Sequence, residues 1–153
     1  MYLADYHTHS DSSPDGKETV ARLAEAALSC GLDEICVTDH VDTVYWGSNA
    51  PRWDFDWDKS VRELEEARRL YGDRLTIRLG AELGEANMAF DRAEHLLSHA
   101  PALDFVIGSV HMAGKKFGYF DFYYIEKNTE TYYHALIDSY LEDVLALAEW
   151  GRF

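Results

Sequence analysis

Cysteine is scarce in this chain. The 153 residues hold two, Cys30 and Cys36, too few for the even sets that staple a small secreted scaffold. Cys30 should end a helix and Cys36 lie in a strand, without the spacing of a zinc site, so two buried thiols are expected rather than a disulfide. Positive charge is scarce as well: 14 Lys and Arg stand against 28 Asp and Glu, a formal net charge of -14. Nucleic-acid binding draws most of its affinity from cations that neutralise phosphates, so nucleic acid is not an expected partner. No apolar run is long enough to cross a bilayer, and no membrane partner is expected. The first residues, Met1 to His7, lack the basic and apolar regions of a secretory leader, and a cytoplasmic protein is expected. Repeats, low-complexity tracts and linkers are missing too, which leaves one domain.

What is present is alternation. Hydrophobic residues make up 47%, enough for a core, and they change period four times along the chain. Strands are expected over Tyr2–His9, Glu34–Thr38, Leu75–Glu82 and Phe105–His111. Between them, helical spacing links Val20, Leu23, Ala24, Ala27 and Leu28, then Val61, Leu64, Ala67 and Tyr71, then a short run from Asp91 to His99. Gly31 and Gly72 sit where helices should stop. The clearest helix carries Tyr133, Leu136, Ile137, Tyr140, Leu141, Val144, Leu145 and Ala148 as one apolar stripe. Two long loops, Val41 to Trp57 and Met112 to Asn128, complete the pattern. Strand–helix alternation predicts an α/β fold with a parallel sheet, either open or half of a barrel. The pattern stops at Gly151-Arg152-Phe153, on the approach to a fifth strand. A longer barrel is therefore expected, with the fourth strand leaving an edge for a second copy or another partner to cover.

Each predicted strand ends in a metal-ligating side chain. Asp5, His7 and His9 share one face of the first strand, because side chains alternate. Asp39 and His40 end the second. Glu82 ends the third, above Gly80, and His111 ends the fourth, above Ser109. Parallel barrels build their sites at the C-terminal ends of the strands, and imidazole with carboxylate suits Zn, Mn or Fe. His-x-His alone is a weak signal, whereas four such strand ends in order are a strong one. Other candidates read as ordinary surface. His95 and His99 are four apart on an outer helix without an adjacent Glu, and His134 lies on a polar helix face. Asp54, Asp56 and Asp58 precede a helix and suit its capping.

The order Asp5-x-His7-x-His9, Thr38-Asp39-His40, Gly80-x-Glu82 and Ser109-Val110-His111 resembles the first part of the PHP (polymerase and histidinol phosphatase) superfamily, over essentially the whole chain. The opening Asp5 to Ser10, the Ser13-Pro14-Asp15-Gly16 turn, Glu34 to Asp42 and Trp53 to Asp56 resemble histidinol-phosphate phosphatases in particular. The resemblance implies a distorted barrel of seven βα units, of which residues 1–153 would supply about four as the N-terminal portion of a PHP domain. It implies two to three divalent metals (Zn, Mn or Fe). His7, His9 and Glu82 would hold the first. Glu82 would bridge to a second, shared with His111, and Asp15 with His40 would hold a third. Glu82, His111 and Asp39 are the expected catalytic residues. Relatives carry a further His and an Asp-x-His that this chain lacks, so each metal is expected to be one ligand short.

The activity implied is hydrolysis of a phosphomonoester, L-histidinol phosphate in histidine biosynthesis, by metal-bound water. No Ser, Cys or Asp stands as an obvious nucleophile, so no phosphoenzyme is expected. Arg52 and Lys115, in the two aromatic-rich loops, are the candidates for phosphate contact. Two alternatives remain: a PHP phosphoesterase acting on another small phosphorylated metabolite or nucleotide, and a catalytically incomplete metal-binding module.

Overall fold

The computed structural model describes all of residues 1–153. Strands and helices alternate as β1 (Ala4–Thr8), α1 (Val20–Ser29), β2 (Glu34–Val37), α2 (Trp57–Tyr71), β3 (Thr76–Gly84), α3 (Phe90–Ser98), β4 (Phe105–Ser109) and α4 (Glu130–Trp150). The strands are all parallel and lie in chain order, β1-β2-β3-β4. Parallel neighbours need a long crossover, and the helices supply it. The fold is α/β, four strands of a half-barrel, as the alternation predicts.

Helix boundaries follow local chemistry. Thr19 caps α1 by accepting a hydrogen bond from the Arg22 amide, and Asp56 caps α2 through the Lys59 amide. Asp56 therefore belongs to helix capping, as the Asp-x-Asp-x-Asp run suggests. Gly31 leaves α1 at a φ of 76° and Gly151 leaves α4 at 61°, left-handed values that favour glycine.

The helix side of the sheet is apolar. Ile35 and Val37 of β2 and Ile77 and Leu79 of β3 pack on Val20, Ala24 and Ala27 of α1 and Leu64 and Ala67 of α2. A second cluster joins Ala81 and Leu83 of β3 to Trp57, Ala93, Leu96 and Leu147. Removing a buried leucine such as Leu64 should cost about 2–5 kcal/mol.

The other side of the sheet is polar. Glu34, buried at 5%, accepts hydrogen bonds from Tyr2, Tyr6 and Arg78, and Arg78 reaches on to Asp104 at 3.3 Å. The network ties the strands together below the rim. The Arg78 guanidinium, with both tyrosines, holds the Glu34 carboxyl down at about 2.

Four expectations change. Asp5 does not join His7 and His9: it is exposed, and its Oδ1 accepts from the His7 amide at 3.0 Å. The β1 register is irregular between Asp5 and Thr8, which breaks the simple alternation. Cys30 is exposed at the end of α1, while Cys36 is buried and its thiol is pushed up to about 12 by burial. Of the expected apolar stripe of α4 only Leu136 is buried, together with Leu147 outside it; Ile137, Leu141 and Leu145 face outward. Both long loops contain order. Val44 pairs with Pro51 and Met112 with Asp121, and short 3-10 turns span Lys115–Phe117 and Phe122–Tyr124. No helix is long and apolar enough to cross a membrane.

Candidate metal centre

Glu82 is the hub. It lies on a β3 face shared with Gly80 and Gly84, since β3 runs two residues beyond the expected end at Glu82, and its side chain is only 2% exposed. Glycine at Gly80 is required there: a Cβ would lie 2.7 Å from both the Phe105 carbonyl oxygen and Cys36 Sγ. The neighbouring strand is clamped alongside, with the Glu82 amide donating to the Asp39 carbonyl at 3.0 Å and the Val41 amide to the Glu82 carbonyl at 2.8 Å.

Four imidazoles surround this carboxylate. His7 Nε2 lies 2.9 Å from Oε2, His9 Nε2 2.8 Å from Oε2, and His111 Nε2 3.0 Å from Oε1. His40 Nε2 stands 3.7 Å from Oε2. Asp15 completes the ring, with Oδ1 3.0 Å from His9 Nδ1 and Oδ2 3.7 Å from His40 Nε2. His9 Nε2 is buried and out of line for a hydrogen bond despite its short distance to Glu82. Such an orphaned nitrogen beside a carboxylate suits a shared cation. Donors bound at about 2.1 Å around one tetrahedral ion stand about 3.4 Å apart, within the range seen here. The donor sets His7-His9-Glu82, His9-Asp15-His40 and His40-Glu82-His111 each bring their ligand atoms within 4.8 Å of one another. The residues fit a divalent metal cluster.

The electrostatics agree. Burial works to raise the Glu82 carboxyl, but His111, His9 and the other imidazoles outweigh it and hold it well below the usual carboxylate range. The Glu82 and Asp15 carboxylates raise His9 to about 9 against burial. His111 is lowered by burial and raised more by Glu82 and Glu85, to about 10. Asp15 is lowered, because His9 and His40 outweigh its burial.

The structure thus brings together His7, His9, Asp15, His40, Glu82 and His111. It does not bring Asp39 into the ring. That carboxylate, 4% exposed, accepts from the Ser10 amide at 2.6 Å, Ser10 Oγ at 2.7 Å and Ser13 Oγ at 2.8 Å. These bonds pin the turn that carries His9 and Asp15, so the carboxylate expected to be catalytic is taken up by Ser10 and Ser13 rather than by the ring. Arg52 is held by its own loop: Nε donates to the Asp54 carbonyl at 3.0 Å, and the guanidinium lies over Tyr45 and Phe55. Lys115 is exposed in a 3-10 turn, with no contact to the ring. His95 and His99 are exposed on α3 and His134 on α4, in keeping with an ordinary surface.

Three residues at the ring escaped the strand-end pattern. Trp46 stacks edge-on against His40, with ring centres 4.7 Å apart, and lies 6.2 Å from His111. Asp42 and Glu85 lie buried behind the same two histidines. Asp42 shares the alternation of His40, a signal the sequence carried. Glu85 had none, because it sits just past β3 at a positive φ of 56°.

The chain is similar to known proteins. Residues 5–152 match the PHP domain family model. A histidinol-phosphatase of Lactococcus lactis is 31% identical over 74% of this chain and 41% of its own. A probable histidinol-phosphatase of Deinococcus radiodurans is 32% identical over 73% of this chain and 43% of its own. A probable phosphatase of Photobacterium profundum is 32% identical over 72% of this chain and 41% of its own. The crystal structure of the Lactococcus lactis histidinol phosphate phosphatase, complexed with zinc, L-histidinol and phosphate, superposes with a TM-score of 0.64 at 30% identity, covering 73% of this chain and 41% of that one. The chain spans about two-fifths of the length of these relatives. With the family match running almost end to end, the chain belongs to the PHP domain family.

Proposed function

We propose that this chain carries the metal-holding rim of a phosphomonoester hydrolase whose substrate is L-histidinol phosphate. The carrying observation is Glu82, buried and ringed by His7, His9, His40 and His111. Divalent ions in such a ring supply a nucleophile at neutral pH and neutralise charge on phosphoryl oxygens. The chain's own residues would hold them: Glu82, His7, His9, Asp15, His40 and His111, whose donor atoms converge at this rim. We read residues 1–153 as the N-terminal portion of a PHP domain and the centre as binding two to three ions. Zinc is the favoured metal, because the Lactococcus lactis relative binds it.

Substrate choice rests on the relatives' names and on Trp46, which offers an aromatic face at the ring to a small planar group. Arg52 and Lys115 stay as candidates for phosphate contact only if the loops move, since neither touches the ring. The test is phosphate release from L-histidinol phosphate and from a panel of nucleoside and sugar monophosphates, with zinc or manganese added. The reading expects release that Glu82→Gln abolishes, with L-histidinol phosphate preferred. Metal-loaded protein with no release above that of Glu82→Gln would overturn it.

A further inference from the structure

Asp42 and Glu85 are 0% and 1% exposed, and no lysine or arginine pairs with either. Their partners are the two histidines in front of them. His40 turns Nε2 toward Glu82 and Asp15, at 3.7 Å each, and Nδ1 toward Asp42 Oδ1 at 3.1 Å. His111 turns Nε2 toward Glu82 Oε1 at 3.0 Å and Nδ1 toward Glu85 Oε1 at 3.4 Å. Both rings therefore present one nitrogen to the metal centre and the other to a buried carboxylate. At His40 the contact from Nδ1 to Asp42 is a hydrogen bond, and an ionised carboxylate only accepts, so the proton belongs to the ring nitrogen. At His111 the 3.4 Å contact is out of line and Nδ1 has no hydrogen-bond partner, so there Glu85 acts through its charge and its bond from the His111 amide. A neutral imidazole has one N–H; with it on Nδ1, the Nε2 lone pair is free to face a cation.

We infer that Asp42 and Glu85 are positioning residues that fix His40 and His111 as Nδ1–H imidazoles, each with Nε2 aimed at the metal centre. This rests on the metal reading of the ring. The local backbone is built around the pair. A Cβ at Gly84 would sit 2.0 Å from Asp42 Oδ1, so glycine makes room for that carboxylate. Glu85 holds a left-handed φ of 56°, a conformation that costs a non-glycine residue about 1–3 kcal/mol and persists only when neighbours over-determine it. Those neighbours are present. The His111 amide donates to Glu85 Oε1 at 2.6 Å, the Glu85 amide to the Ser109 carbonyl at 3.1 Å, and Thr43 Oγ1 to the Glu85 carbonyl at 2.7 Å. One oxygen on each carboxylate, Asp42 Oδ2 and Glu85 Oε2, has no hydrogen-bond partner. Burying two anions this way is costly unless a charge lies close by, and a cation held by the two imidazoles would be that charge.

The experiment is zinc titration combined with ring-nitrogen NMR of the 15N-labelled, zinc-loaded chain. In the unsubstituted protein, His40 and His111 should both carry the proton on Nδ1, protected from solvent exchange. Asp42→Ala should lose the protected Nδ1–H of His40 alone, and Glu85→Ala that of His111 alone. Each should weaken zinc binding about 10–100-fold. Asp42→Asn and Glu85→Gln keep the shape and one acceptor oxygen, so they should keep the tautomer and lose about tenfold in affinity. If the alanine variants fail to fold, the amide pair decides: unchanged zinc affinity in both overturns the inference. Ring protons on Nε2 in the unsubstituted chain also overturn it. So does loss of one whole equivalent of zinc with the remaining affinity untouched, which would make the carboxylates ligands themselves. Zinc uptake with unshifted variants removes this inference alone, whereas a folded chain that takes up no zinc removes the metal reading as well.

Discussion

His9 and His111 show how strongly one carboxylate can set its surroundings. Without metal, Glu82 and its acidic neighbours raise them to about 9 and about 10, from an unfolded value of 6.5. A raised histidine stabilises the metal-free fold fully below 6.5 and loses that contribution as pH rises through 9 to 10. Metal binding runs the other way, because a cation needs the neutral ring. At pH 7 both histidines must give up a proton for zinc to enter. Calorimetry in buffers of different ionisation enthalpy should therefore show protons released on zinc binding, and zinc affinity should rise with pH from 6 to 9. A pH-independent affinity with no proton release would contradict this account of the ring.

At the scale of elements, the strand ends were legible and the connections were not. His7, His9, His40, Glu82 and His111 could be placed because period-two strands, bounded by glycine and helical runs, bring their last residues to one rim. Asp15 was reached through resemblance to relatives, and the turn that delivers it is pinned by Asp39 through Ser10 and Ser13. Asp39 lies outside the ring, because proximity in sequence to His40 says nothing about which side of the strand end its carboxylate takes. Asp42 was missed although it shares the alternation of His40, whereas Glu85 lies just past β3, where a backbone bend at a φ of 56° decides its direction. Trp46 depends on a loop folded back through the Val44–Pro51 pairing, a short-range contact that no strand or turn pattern in the loop marked. Gly84 joins these levels. Gly84→Ala would place a methyl 2.0 Å from Asp42 Oδ1, so it should lower stability by about 1–3 kcal/mol and weaken zinc binding together. A melting temperature and zinc affinity equal to those of the unsubstituted chain would show that Asp42 has room to move.

The whole molecule is less closed than its size implies. Its accessible surface is 8822 Å², against about 7,900 Å² for a compact 17.5 kDa chain on the usual scaling. Large apolar side chains stand exposed on it. Ile137, Leu141 and Leu145 of α4 are exposed, and a groove of about 790 Å³ lined by Phe122, Ile125, Leu136 and Tyr140 opens beside His111. The sequence shows an apolar stripe on α4, and nothing in helical periodicity tells a covered stripe from an uncovered one. In solution the folded chain should bind a hydrophobic dye. Leu141→Lys with Leu145→Lys should lower that binding while leaving stability within about 0.5 kcal/mol. A folded chain that binds no dye would mean that another copy covers the face, which sedimentation would reveal.

The metal centre is the claim on which the functional reading stands, and metal content per chain tests it most directly. Protein purified without a histidine tag or chelator, then equilibrated with zinc and freed of excess, should retain at least stoichiometric metal by elemental analysis. Glu82→Gln should retain at least one equivalent less, because two of the three donor sets include Glu82, while keeping the same circular dichroism. A folded, unsubstituted chain that retains no metal would contradict the account.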